Sequence, residues 1–377
     1  MSSGQPACIR LGMLKQLSAA AESLDIRIPE FCIIPHADIA SLCLSEEGNG
    51  LVPFLEQALL DRTRYLASDE IFVRAQPLDE SLVPHLSFAG VYPSYVPRKK
   101  TLRAENLTRG LKKVLSDRHI PYSDYYYSRH KIKSDRPVDV MFSSKIEDVM
   151  MFGTAYVFGD QCLIEYFDTP ISIFLCDPVR IFARCEQRSI GISEKLIRSV
   201  FAVGQALSGA LDIEFMVDRR EQVFVSQVRP ISPPHINNWK SVTERTWAEM
   251  RTDGPPSNVV NTVGTIAGRV VDFRNRKPRL RDFEGGQKIY VVSHRGEAQG
   301  TSSLDILQFL NWHDLSHVML VVDHDEARVD DHLQYIMYED PGVAFLAHST
   351  AIPHDIDGRW WRVSSDGFRV TFDFPEE

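Results

Sequence analysis

The chain has 377 residues, 44% of them hydrophobic and 25% charged, and a formal net charge of −9. That length holds two or three domains with ample core, and the composition is ordinary for a globular protein. The acidic balance argues against a general nucleic-acid binder, and no apolar run approaches the roughly 20 residues of a membrane span. No basic start followed by an apolar stretch opens the chain, so no signal peptide is expected. The six cysteines all fall in the first half, and none forms a CxxC pair. They read as reduced, mostly buried thiols, and a cytoplasmic location is expected.

In chain order, Leu14, Leu17, Ala21 and Leu24 recur at helical spacing and predict a helix over 11–24. A strand is expected over 31–35, helices over 37–44 and 51–67, and a strand over 70–75. Arg74 ends that strand and an acidic loop with Asp79 and Glu80 follows it. An arginine so placed either points at an anion or sits in a surface ion pair. A short basic helix is expected over 107–115. The segment YSDYYYSRHKIKSD, 122–135, interleaves tyrosines with cations; it reads as a surface loop or lid ahead of a nucleotide-stacking surface. Strands over 138–146, 152–158 and 161–167 suggest an antiparallel meander, and a helix over 193–209 follows.

The stretch LDIEFMVDRREQVFVSQVRPISPP, 211–234, carries the most chemistry. Ile213, Phe215 and Val217 alternate with Asp212, Glu214 and Met216, the period of a half-buried strand. A second strand returns from Val223 to Arg229. A four-residue turn over 219–222 puts Glu214 opposite Gln227 and Asp212 opposite Arg229. Two carboxylates, an amide and a guanidinium then share one face. Hard oxygen ligands and a fork of donors suit Mg²⁺ and a polyphosphate. The other reading is an amphipathic hairpin with a solvated salt bridge.

The stretch 231–258 contains SPPHINN and TDGPPSN, and the best linker is 233–258. Beyond it, short strands and helices alternate: strands over 288–292, 318–322 and 343–346, helices over 304–310 and 331–338, and a closing hairpin over 360–374 with Asp366-Gly367 at its turn. This predicts an α/β domain over 259–377 after a first domain over 1–232, itself in lobes of roughly 1–100 and 101–232.

Three stretches carry a resemblance. DIEFMVDRREQVFVSQVRPI resembles the end of the nucleotide-binding domain in the phosphoenolpyruvate synthase and pyruvate phosphate dikinase family. VRAQPLDESLVPHLSFAGVY resembles that family's VRSSA…ED…SFAG pattern, and CIRLGMLKQLSAAAESLDIRIPEFCII its opening segment. DPGVAFLAHS and DIDGRWWRVSSDGFRVTF, near the end, are similar to its swivelling phosphohistidine domain. The sequence departs from the family at Cys8 and Ile9, where the family has glycines, and at Ala75 and Gln76 after Arg74. The pyruvate-binding barrel is not expected in a chain that ends at Glu377.

The resemblance implies an α/β (α+β) chain: an ATP-grasp-like, two-lobed nucleotide-binding domain followed by a small swivelling β/β/α phosphohistidine-like domain. It implies ATP and Mg²⁺ as cofactors. By motif position Arg74 binds phosphate, Arg10 takes the place of the family's first cation in the nucleotide site, Glu214 holds the metal with Gln227, Asp212 supports the metal or orients Arg229, and Gln227 and Arg229 contact the nucleotide and phosphates. His332, in DHLQYIMYE, takes the place of the phosphorylated histidine. The implied reaction is a dikinase-type phosphotransfer from Mg-ATP through His332, with release of AMP, to an unknown small-molecule or protein acceptor; no nucleic acid or membrane partner is expected. The alternatives are a catalytically degenerate nucleotide-binding or regulatory module of the same fold, and an ATP-grasp ligase working through an acyl phosphate.

Overall fold

Fifteen strands and four α-helices account for most of the described chain. The computed structural model describes residues 9–39, 52–66, 68, 70–77, 94–96, 103–116, 126–128, 130–132, 137–168, 179–184, 194–230, 264–284, 286–293, 318–323, 343–349, 352–365 and 370–374. The chain divides into two units, Met1–Ile120 with Lys133–Ile231, and Pro121–Ile132 with Ser232–Glu377.

The first unit contains two sheets. Its elements are α1 (Ile9–Ala20), β1 (Phe31–Ile34), α2 (Val52–Thr63), β2 (Ile71–Pro77), β3 (Ser94–Tyr95), α3 (Arg103–Ser116), β4 (Val138–Ser144), β5 (Val149–Phe158), β6 (Gln161–Asp168), β7 (Val179–Arg184), α4 (Glu194–Leu207), β8 (Leu211–Asp218) and β9 (Val223–Pro230). One sheet runs β1-β4-β2-β3 and the other β7-β6-β5-β8-β9. Every pairing in both is antiparallel.

Alternation decides which face of each sheet is apolar. In β2, Ile71, Val73 and Ala75 join Val138, Val140 and Phe142 of β4 in a core that also holds Leu59 of α2 and Leu107, Leu111 and Val114 of α3. Phe72, Arg74 and Gln76 therefore lie on the opposite face. In the other sheet, Ala155, Val157, Ile213, Phe215 and Val228 form a second core with Leu17 of α1 and Leu196, Val200 and Val203 of α4.

One expectation is corrected. The strand at 138–146 is not part of a meander with the next two: β4 is inserted between β1 and β2, and the meander is β5-β6-β7. The two sheets also interleave along the chain. Helix α1 packs against β9 and α4, while β4 completes the first sheet. Alternation marks a strand and its buried face, but its partner is set by packing of residues distant in sequence.

Glycine lets α3 approach β2. A Cβ at Gly110 would lie 2.5 Å from Val73 Cγ2 and 2.8 Å from Tyr95 Cδ1. Gly110→Ala is expected to lower stability by about 1–3 kcal/mol through overpacking, read as a lower urea midpoint with unchanged slope.

The second unit is built on one mixed sheet, in the order β13-β12-β11-β10-β14-β15, from β10 (Gly264–Asp272), β11 (Lys288–Ser293), β12 (Val318–Asp323), β13 (Val343–His348), β14 (Trp360–Ser365) and β15 (Val370–Asp373). Strands β10 to β13 are parallel; β14 and β15 continue the sheet antiparallel from the other edge of β10. The expected second β layer is thus not found among the described strands, which share a single sheet. Val270, Ile289, Val291, Val321, Phe345 and Val363 form its core. The linker at 233–258, the helices expected at 304–310 and 331–338, and the turn at 366–367 lie outside the described residues.

Candidate functional site

The β8–β9 hairpin has the cross-strand pairs expected of it, reached by another route. Glu214 is paired with Gln227, and Asp212 with Arg229. The turn is a residue tighter than expected: the Asp218 amide donates to the Gln222 carbonyl at 3.2 Å, leaving residues 219–221 as the loop. The Asp218 carboxylate accepts from the amides of Arg220 and Gln222, both at 2.9 Å, and Glu221 takes φ +58°. This is a three-residue loop closed by a left-handed residue. Near the tip Val217 therefore faces Val223 and Phe215 faces Val225. The register then shifts by one between Glu214 and Phe215, leaving Ser226 as the extra residue of a bulge. That bulge turns Gln227 and Arg229 away from the core face occupied by Val223 and Val225. Replacing Glu221 by glycine is expected to raise the unfolding free energy by about 0.5–1 kcal/mol, since glycine adopts this backbone without steric cost; a urea titration checks it.

The two pairs differ in environment. Arg229 Nε donates to Asp212 Oδ2 at 2.5 Å, with side-chain exposures of 5% and 1%. Of the roles expected for Asp212, the geometry is that of orienting Arg229. Glu214 and Gln227 are only half-buried. Each accepts a hydrogen bond from Arg74 Nη1 at 3.2 Å, Glu214 through Oε2 and Gln227 through Oε1. Arg74 stands on the polar face of β2, so this contact joins the two sheets of the first unit. Its Nε is buried and has no acceptor among the described residues. A buried donor without a partner is unusual and marks a place where an acceptor is wanted.

The register extends the site beyond the residues expected from sequence. Thr154 of β5 is paired with Glu214 on one side and with Glu165 of β6 on the other, giving the row Glu165–Thr154–Glu214–Gln227 across four strands. Thr154 is 4% exposed. Tyr156, fully buried, stands opposite Asp212 in the next row. Thr154 and Glu165 are polar positions inside β5 and β6, a local signal that does not by itself name Glu214 as their neighbour. Arg10 falls in the first turn of α1, and His332 lies outside the described residues.

Chemically, two oxygens of different strands converge on one cationic nitrogen. Hard oxygen donors so placed fit Mg²⁺, which is held by one or two carboxylates together with substrate phosphates. No cluster of three or more His, Cys, Asp or Glu able to hold a metal occurs among the described residues. A cavity of about 580 Å³ in the same unit lies beside the hairpin tip, lined by Arg27, Lys145, Asp148, Asp218 and Arg219; Arg74 and Glu214 are not part of its lining. Of the cysteines, Cys32 and Cys162 are buried, and burial pushes the Cys32 thiol up. No described helix is long and apolar enough to cross a membrane.

No family model and no curated protein matches the sequence. Among solved structures, the chain has partial likeness to macrocyclase MdnC bound with precursor peptide MdnA from Microcystis aeruginosa, at 10% identity over 60% of this chain and 53% of that one, TM-score 0.32. It is similar to the D-alanine-D-alanine ligase of Coxiella burnetii at 15% identity over 59% and 48%, TM-score 0.30. ATP-grasp ligase PsnB, complexed with a minimal precursor, matches at 11% identity over 59% and 52%, TM-score 0.30. The chain spans about half the length of the structures it matches. At these scores the likeness carries no argument about what the protein does.

Proposed function

We propose that the first unit is an ATP-grasp-like Mg-ATP site and that the chain is an ATP-dependent ligase acting on a carboxylate substrate. The observation that supports it is Arg74, which bonds Glu214 and Gln227 across the two sheets while its buried Nε lacks an acceptor among the described residues. Phosphoryl transfer needs little covalent help from the protein; positioning and charge neutralisation suffice. Glu214 and Gln227 would hold the metal, which supplies charge neutralisation at the phosphates. Arg74 would then turn its fork to phosphate oxygens. The buried Asp212–Arg229 pair would keep β8 and β9 in register behind them. The substrate carboxylate oxygen attacks the γ-phosphorus, the bond to the β-phosphate oxygen breaks, and ADP leaves with the electron pair. A nucleophile then attacks the acyl carbon and releases phosphate. Every residue this reading names lies in one unit.

A second reading is the dikinase, which the resemblance through both units favours. It requires His332 of the second unit and releases AMP. One experiment separates the two: the full chain is incubated with Mg-ATP and candidate carboxylates, and the nucleotide products are resolved. Carboxylate-dependent ADP, abolished in Glu214→Ala, is the expected result. AMP with acid-labile label from β-labelled ATP, lost in His332→Ala, would replace the ligase with the dikinase. No nucleotide binding at all would overturn both.

A further inference from the structure

We propose that the second unit carries its own site for a phosphate-bearing small molecule, in a cavity between the start of β10's pairing with β11 and the loop that joins them. The loop contains Arg274-Asn-Arg-Lys-Pro-Arg-Leu-Arg281, five cations in eight residues of a chain whose net charge is −9. It folds over a cavity of about 700 Å³ lined by Arg269, Arg276, Arg279, Arg281 and Lys288. That volume is in the range of small-molecule sites.

The carboxylates on the same wall do not cancel these cations. Asp282 is taken by Arg276 in a two-point pair at 2.7 and 3.3 Å. It also accepts from the Arg279 amide at 2.6 Å. Burial works against the charge on Asp282, but these bonds and the nearby Arg276 and Arg281 outweigh it and hold its carboxyl below the usual range. Asp357 accepts from the Asp272 amide at 2.9 Å. Glu284 is the remaining acid of the lining. Against it stand Arg279 and Arg281, both exposed and neither in an ion pair among the described residues. Arg269 donates from Nε to the Gly358 carbonyl at 2.9 Å.

The loop is held, so the cations are placed before any ligand arrives. Phe273, Phe283 and Tyr290 pack together beneath it, at centroid distances of 6.0, 5.9 and 5.5 Å. Arg276 lies over the Phe273 ring at 4.8 Å. The Lys288 ammonium donates to the carbonyl of Asp282 at 2.8 Å and to that of Glu284. With Arg276 held by Asp282, the lining keeps the planar forks of Arg269, Arg279 and Arg281, which favour an anion that accepts from such forks, as phosphate does. A concave wall with no aromatic side chain among the described residues of its lining suits a compact di- or polyphosphate ahead of a stacked nucleic-acid strand.

The test is calorimetric titration of the full chain with inorganic pyrophosphate, without Mg²⁺, at about 0.15 M salt to screen diffuse attraction. One site is expected, weakened at least about tenfold in Arg279→Gln/Arg281→Gln, since each lost charged hydrogen bond is worth at least about 1.5 kcal/mol. These side chains are exposed, so the variant is expected to fold; circular dichroism confirms it. Binding retained in Arg74→Ala places the signal outside the first unit. The proposal is overturned if pyrophosphate does not bind, if the double variant binds as well as the parent, or if Arg74→Ala abolishes the signal. It is also overturned if citrate or a short single-stranded oligonucleotide binds more tightly than pyrophosphate with the same dependence on Arg279 and Arg281.

Discussion

Replacing Arg229 by leucine is expected to lower the unfolding free energy by about 3–5 kcal/mol, the largest effect of any single change considered. The reason is what stays behind. Asp212 is almost wholly buried, and Arg229 is its short, charge-assisted partner. Removing the guanidinium leaves a carboxylate in a poorly solvated place on a central strand. The measurement is urea unfolding of the single variant beside Asp212→Leu/Arg229→Leu. Removing both charges is expected to restore much of the loss, because burying two apolar groups does not incur the penalty of an unpaired ion. If the single variant loses less than about 1 kcal/mol, the pair is in effect solvated and the burial argument fails.

The second large effect concerns ligand. Mg-ATP at 100 times its dissociation constant is expected to stabilise the parent by about 2.7 kcal/mol. In Glu214→Ala that shift is expected to vanish, with affinity down by about 100-fold. The same variant without nucleotide is expected to stay close to the parent, because Glu214 is half-buried and its bond with Arg74 joins partly exposed groups. A thermal melt with and without Mg-ATP reads both. Unchanged stabilisation in the variant would remove Glu214 from the site. A large loss without nucleotide would make the Arg74 contact structural.

The sequence carried much of the first unit and part of its site. Alternation marked β8 and β9, and the polar partners of Arg74 were legible as residues facing away from an apolar stripe. The turn was misjudged because Asp218 closes it through its side chain and Glu221 enters a left-handed backbone that glutamate seldom adopts. Two one-residue errors then cancelled: a tighter loop and the bulge at Ser226. The second had a trace in the sequence, since the valines of β9 run 223, 225, 228 and break period two. The meander through 138–146 was misread for another reason. Strand pairing across the insertion of a whole helix has no local signature, and β4 found partners at 31–34 and 71–77. Thr154 and Glu165 escaped notice because only the register of three strands makes them neighbours of Glu214.

The bulge also bears on how such chains should be compared. A homologous hairpin with one more residue at its tip and no extra residue at 226 would keep both polar pairs in the same places. Its strands would differ from this chain by two gaps of opposite sign, eight residues or fewer apart. An aligner that penalises gaps would close both and shift the intervening segment by one, pairing core-facing side chains with outward-facing ones. Divergence around the tip would then be overstated, while the columns holding Asp212, Glu214, Gln227 and Arg229 would still read correctly.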